Sequence, residues 1–321
     1  MNTQDRFIHK HGYALLFSND IFVRELVHDF VNADLAERLD FSDFQAFTEK
    51  TFVTDDFREY ADDLLTKVKI DGEEAYIYFL IEFQSSPDRF MALRVLNYLV
   101  LFYMELLKAD KGLKSLPPVL PILLYNGSAD WTSPENIKDL IRPFPFIEEF
   151  YPDFRYFKII EKDFNKEDLA EIGNAVAAMF LVENTTKEQF ESLTDELIRF
   201  ISHESAQAIG LVALWMKQLY KNERIDKKSL DEVYLLKNEK EAKNMIQETV
   251  KQVKEEWLQQ GIARGIEQGI EQGLEQGLEQ GIEQGMHKKA FAAARALKRQ
   301  GVDIKIISQA TGLSEEEINS L

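Results

Sequence analysis

The chain has no cysteine among its 321 residues, which excludes disulfides and thiolate metal sites. Any metal centre must be built from carboxylates, amides or the five histidines. No apolar run approaches the roughly 20 residues that a membrane helix needs. Met1 to Arg6 carry no basic-then-apolar leader, so the chain is expected to be cytoplasmic and off the membrane. Positive charge is scarce: 38 Lys and Arg face 56 Asp and Glu, a net charge of −18. Nucleic-acid affinity draws on cationic contacts. Weak overall binding to a duplex is therefore expected, unless the basic residues cluster or the acids lie in the tail and on a far face. Part of the acidic excess does lie in the C-terminal repeat and the last helix. There is no Gly-x-x-x-x-Gly-Lys phosphate loop and no Gly-x-Ser-x-Gly elbow. His203-Glu204 opens a zinc-protease pattern, but Gln207 stands where the second His is needed.

The strongest positive signal is a pair of runs, Asp63 to Ile70 and Ala75 to Gln84, separated by Asp71-Gly72-Glu73-Glu74. Asp-Gly between apolar runs predicts a β-hairpin. Taking all four residues as the loop, Ile70 faces Ala75 and Asp63 faces Glu82. Opposed residues share a face with Cβ atoms about 5 Å apart, and Gln84 joins them by strand alternation. The second run is apolar until Glu82, the pattern of a central strand buried on both faces. A carboxylate there is costly unless it is paired or holds a cation. Two carboxylates and an amide oxygen suit a hard ion such as Mg²⁺. The order Asp, a strand's length, then Glu-x-Gln resembles the PD-(D/E)xK nuclease signature, with Gln84 where Lys is usual. The plainer alternative is a hairpin with surface acids at its ends.

The resemblance extends beyond spacing. Asp62 to Val68 and Tyr76 to Arg94, above all Phe83-Gln84-Ser85-Ser86, look like the Rpn (YhgA-like) family of transposase-like, recombination-promoting nucleases. Leu15-Leu16-Phe17-Ser18, the run from Leu116 to Gly127 and the Gly-x-x-x repeats add to it. The resemblance implies an α/β, restriction-endonuclease-like mixed sheet flanked by helices, and Mg²⁺-dependent cleavage of DNA. It would make Asp63 and Glu82 the metal ligands and have Gln84 orient a water. Lys67, on the Asp63 face by alternation, is a candidate for the missing cation. Arg89 and Arg94 are candidates for meeting phosphates. The rival expectation is a non-catalytic interaction protein that keeps this fold and assembles through its tail.

Along the chain, 5–17 and 19–32 read as helices, the second capped by Ser18-Asn19-Asp20. His9 or His11 reaching the metal site is less economical than ordinary helix packing. Residues 41–53 suggest a first strand or an irregular segment. Ser86-Pro87-Asp88 starts a long helix to Lys108, Leu116 to Tyr125 reads as a buried strand, and Phe154 to Ile160 as the last. The expected layout is a core over 1–165 and a helical extension over 166–258, with helices at 166–182, 186–202, 204–221 and 228–258. A Gly-x-x-x linker or assembly helix over 259–286 and a helix-turn-helix-like tail over 287–321 follow. Glycine recurs every four residues from Gly261 to Gly285, each followed by Ile, Leu or Met. Seven helical glycines cost about 7 kcal/mol relative to alanine, so this helix is expected to need a partner and the chain to be a homo-oligomer. Ser314 and Glu317 form a capping-box pattern. Glu315-Glu316-Glu317 make the last helix too acidic for a major groove, so packing or oligomerisation is expected of it.

Overall fold

A computed structural model describes residues 11–48, 64–82, 87–127, 129–185, 190–221, 225–236 and 238–321. The chain divides into two compact units, Met1–Val253 and Lys254–Leu321. The first unit holds a five-stranded sheet in the order β1-β2-β3-β4-β5. The strands are Leu39–Thr48, Leu64–Ile70, Glu73–Glu82, Val119–Tyr125 and Phe157–Ile160. β1, β2 and β3 run antiparallel, whereas β3, β4 and β5 run parallel. The mixed α/β architecture is the one expected.

The hairpin between β2 and β3 differs from expectation in its loop. Asp71 (φ 52°) and Gly72 (φ 87°) both take left-handed backbone angles. A turn of this kind closes with two residues and matches the twist of the strands it joins. Ile70 therefore pairs with Glu73, not with Ala75, and Leu64 pairs with Phe79. Glu73 and Glu74 belong to β3, because Glu74 lies opposite Lys69 and forms an ion pair with Lys67.

Residues Ala75 to Ile81 of β3 are all buried, which requires cover on both faces. On one face Tyr76, Tyr78 and Leu80 pack with Leu65, Leu123 and the helix α4, Met91–Ala109. On the other, Phe79 stacks on Phe17 with ring centroids 5.1 Å apart. Phe17 belongs to α1 (11–17), and Tyr13 of that helix meets Trp215 edge-on at 6.2 Å. The second expected helix is shorter than 19–32. Asn19 caps α2, Asp20–Leu26, which loosens into a π-turn, Val27–Val31, and Asn32 caps α3, Ala33–Glu37.

The expected helix 166–182 is two helices, α5 Lys166–Ile172 and α6 Ala175–Glu183. Gly173 (φ 62°) ends the first, and the Asn174 side chain caps the second. Every residue of α6 except Glu183 is buried, so α6 is a core helix. Its start is bonded to α2 and the π-turn after it: Val176 N donates to Glu25 Oε2 at 3.1 Å, and Asn174 Nδ2 donates to Asp29 Oδ2 at 2.7 Å. Residues 166–253 are thus part of the first unit rather than a separate extension. α7 Phe190–Phe200, α8 Ala206–Lys221 and α9 Lys227–Tyr234 follow.

α10 is one helix from Glu239 to Arg299 and includes every glycine of the repeat. In the second unit, Ala294 of α10 packs with Ile307 of α11 (Ile304–Thr311), Leu313 and Ile318 of α12 (Glu315–Asn319). Gly312 (φ 72°) makes the turn, and the Ser314–Glu317 capping box forms. Lys298 Nζ donates to the carbonyls of Ile318 and Asn319, each at 2.9 Å, satisfying the end of α12.

The α2–α6 joint makes stability depend on pH. Burial, and then the neighbouring Glu204 carboxylate, push the Glu25 carboxyl from 4.5 up to about 9. Between those values the folded chain keeps a proton that the unfolded chain has released, so stability falls as pH rises. Glu25→Gln cannot ionise and is expected to reduce that fall. Urea midpoints of variant and wild type should be similar near pH 5. Near pH 9 the variant should be the more stable, and equal slopes for both proteins would show that the proton is not held there.

Candidate active site

Because β3, β4 and β5 are parallel, their C-terminal ends share one edge of the sheet. The backbone of Glu82 pairs with Tyr125, and Tyr125 pairs with Ile160. Two strand spacings, about 10 Å, therefore separate Glu82 from Ile160. In sheets containing parallel strands, this is the edge where ligands bind.

Beyond the strand ends the chain supplies polar groups. Asn126 follows β4, and Glu161 follows β5. Tyr13 of α1 reaches both: its hydroxyl donates to Glu161 Oε1 at 2.8 Å, and its side chain is hydrogen-bonded to Asn126. Glu161 is fully buried, and its Oε2 has no hydrogen-bond partner among the described residues. Burial, and then the Glu183 carboxylate, hold the Glu161 carboxyl well above the usual range, against the pull of the Tyr13 hydrogen bond. Over the edge, Trp131 meets Tyr125 at 4.7 Å and donates to the Tyr156 hydroxyl at 3.2 Å, and Lys162 bonds Asp130 at 2.6 Å.

Of the residues singled out from sequence, Glu82 closes β3 at this edge. Asp63 and Gln84 lie outside the described residues. The observed register differs from the expected one by two residues, so strand parity is kept, but β2 as described stops opposite Phe79, three residues short of Glu82. Lys67 is not brought to this edge. It pairs with Tyr76, six residues before Glu82, a separation of about 20 Å along the strand. There it is held by Glu74, which also accepts from the Tyr76 hydroxyl at 2.9 Å. Arg94 lies in the first turns of α4 and pairs with Asp88 at 3.2 Å, while Arg89 is exposed just before that helix. His11 is exposed on α1, and His9 lies outside the described residues. Among the described residues no three His, Asp or Glu side chains cluster as metal ligands, and no helix is long and apolar enough to cross a membrane. The tail does not hold most of the acidic excess. Residues 254–321 have eight Lys and Arg against eleven Asp and Glu, a net of −3 out of −18.

Residues 9–211 match the family described as "Putative transposase, YhgA-like". The chain belongs to this family. Recombination-promoting nuclease RpnA of Escherichia coli is 40% identical over 77 residues, 24% of this chain and 26% of that protein. Recombination-promoting nuclease RpnD, from another Escherichia coli strain, is 24% identical over 208 residues, 57% of this chain and 79% of RpnD. A third relative, also from Escherichia coli, is named as the inactive recombination-promoting nuclease-like protein RpnE; it is 32% identical over 122 residues, 37% of this chain and 39% of that protein. The chain thus spans only about a quarter of the length of RpnA. No solved structure matches it.

Sequence reasoning missed the Tyr13–Glu161 pair, whose partners are 148 positions apart with no shared motif. Tyr13→Phe removes the hydrogen bond to a fully buried carboxyl. It should destabilise the fold by about 1–3 kcal/mol, the cost of an unsatisfied buried polar group, as measured by urea unfolding near neutral pH.

Proposed function

We propose that the chain is a Mg²⁺-dependent DNA endonuclease of the recombination-promoting type, hydrolysing phosphodiester bonds, with Asp63 and Glu82 as metal ligands. The observation that carries this is the position of Glu82. A carboxylate residue ends β3 directly after seven buried residues, at the edge shared by three parallel strands. The named activity of two of the relatives supports it. The donor chemistry fits: carboxylate and amide oxygens are hard ligands of the kind Mg²⁺ takes. When bound, such an ion activates a water and stabilises charge on the phosphate. Gln84 would orient the water through its amide but supplies no charge. Lys67, engaged with Glu74 about 20 Å away along the strand, has no part in the proposal. Arg89 and Arg94 would meet phosphates from the start of α4. Because the first unit carries most of the acidic excess, binding would rest on few such contacts.

A second reading is a non-catalytic interaction protein. The neutral Gln84, the charge of −18 and the relative named inactive favour it. Plasmid nicking with and without Mg²⁺ separates the two. Under the proposal, wild type nicks only with the ion, Asp63→Ala and Glu82→Ala fall by at least about a hundredfold, and Lys67→Ala stays within about twofold of wild type. Equal nicking by wild type and the two carboxylate variants would place the activity elsewhere.

We also infer that the glycine repeat assembles copies of the chain. All seven glycines have open space where a Cβ would stand, and Ile262, Ile266, Ile270, Leu274, Leu278, Ile282 and Met286 beside them are exposed. Small residues along a stripe allow close helix approach, and a partner helix would cover the apolar row. Gly273→Leu with Gly277→Leu meets no obstacle within the chain and favours helix. The expected result is a lower mass per particle by light scattering at undiminished helicity; an unchanged mass would make the repeat a plain connector.

A further inference from the structure

The helix α4 is apolar on two sides. Its inner side, Met91, Val95, Tyr98, Leu99 and Phe102, packs on the sheet. An ordinary surface helix would present charges opposite that side. Here the exposed positions from Met91 to Leu107 are Leu93, Asn97, Val100, Met104 and Leu107, and Phe90 extends the row in front of the helix. The five apolar members are each between 42% and 52% exposed. Only Asn97 is polar.

The spacing of this row is regular. From Phe90 to Leu107 the steps are three, four, three, four and three residues, the a/d pattern of a heptad. Phe90, Asn97 and Met104 take the a positions, and Leu93, Val100 and Leu107 the d positions. The partly exposed neighbours Leu96, Leu101 and Tyr103 fill the flanking e and g positions. A strict a/d row is the seam of a pair of helices rather than the wider stripe of a helix lying on a core. A seam of this kind fits a second copy of itself, and a single Asn at an a position fixes register and partner number.

We propose that α4 is a self-association seam: it packs against α4 of a second copy of this chain, parallel, with Asn97 against Asn97 of the partner. The parallel sense follows from the amide. In an antiparallel pair each a residue meets a d residue, which would bury Asn97 against Leu or Val unsatisfied. The parallel pair sets amide against amide. The area is adequate: the five exposed apolar side chains offer roughly 450 Å² per copy. Two copies with their flanking residues reach the roughly 1,000 Å² at which specific interfaces begin. This parallel arrangement puts the N-terminal ends of both α4 helices on one side of the dimer.

Two measurements on the full chain test this. Val100→Glu with Met104→Glu places charges in the seam and leaves the inner side of α4 untouched. Light scattering should show the mass per particle falling twofold relative to wild type, with unchanged circular dichroism. The chain has no cysteine of its own, so an introduced one reports alone. Asn97→Cys should give a disulfide-linked dimer on mild oxidation, because the two Cα atoms approach within bonding range at the seam. Glu167→Cys, at an exposed position elsewhere, should not. The idea fails if the double variant keeps the wild-type mass. It fails equally if Asn97→Cys cross-links no better than Glu167→Cys, in which case another segment or another protein covers the row. Neither readout depends on cleavage activity, so the seam and the nuclease proposal stand or fall separately.

Discussion

The first unit depends on keeping water from both faces of one strand. β3 has seven consecutive buried residues, Ala75 to Ile81, and no single layer can cover them. β2 and β4 satisfy its backbone, α4 closes one face, and α1 with the helices behind it closes the other. Burying each large apolar side chain contributes about 1.5–3 kcal/mol, so the strand anchors much of the core. The buried run is followed by Glu82, the last residue of β3, at the edge where the parallel strands end.

The parts of this arrangement that rest on local patterning were legible in the sequence. The apolar runs of β3 and β4, the two-sided burial of β3, the Asn19 cap and the Ser314–Glu317 box all follow from neighbouring residues. The hairpin loop shows where local reasoning stops. Asp71-Gly72 reads as a turn, but Glu73 and Glu74 resemble loop residues until Lys67 is seen across the ladder. The two-residue turn and the Lys67–Glu74 ion pair place these acids in the strand. The same contact explains why Lys67 is not available to the edge. Helix 166–182 broke at Gly173-Asn174, a stop followed by a cap. Both signals are local and outweighed the apolar periodicity on either side. The Tyr13–Glu161 pair had no such signal, since its partners meet only through the tertiary fold.

The formal charge overstates the field around the protein. Glu25 and Glu161 are counted among the 56 acids, yet burial pushes both carboxyls above the usual range, Glu25 to about 9. These carboxyls lie at joints between elements distant in sequence, α2 with α6 and α1 with the end of β5. Each joint trades the cost of an ionised buried carboxylate for a hydrogen bond and a dependence on pH.

The repeat in α10 has the opposite character to the seam on α4. Asn97 marks one place along its row, whereas the repeat marks none. A second helix moved along it by four residues, about 6 Å, and turned by about 40° meets nearly the same Gly, Ile or Leu, Glu and Gln again. Such a surface is translationally degenerate: it can select what kind of helix lies beside it, but not where that helix stops. Register would have to come from features that occur once, such as His287, Phe291 and the small core around Ile307 at the end of the same helix.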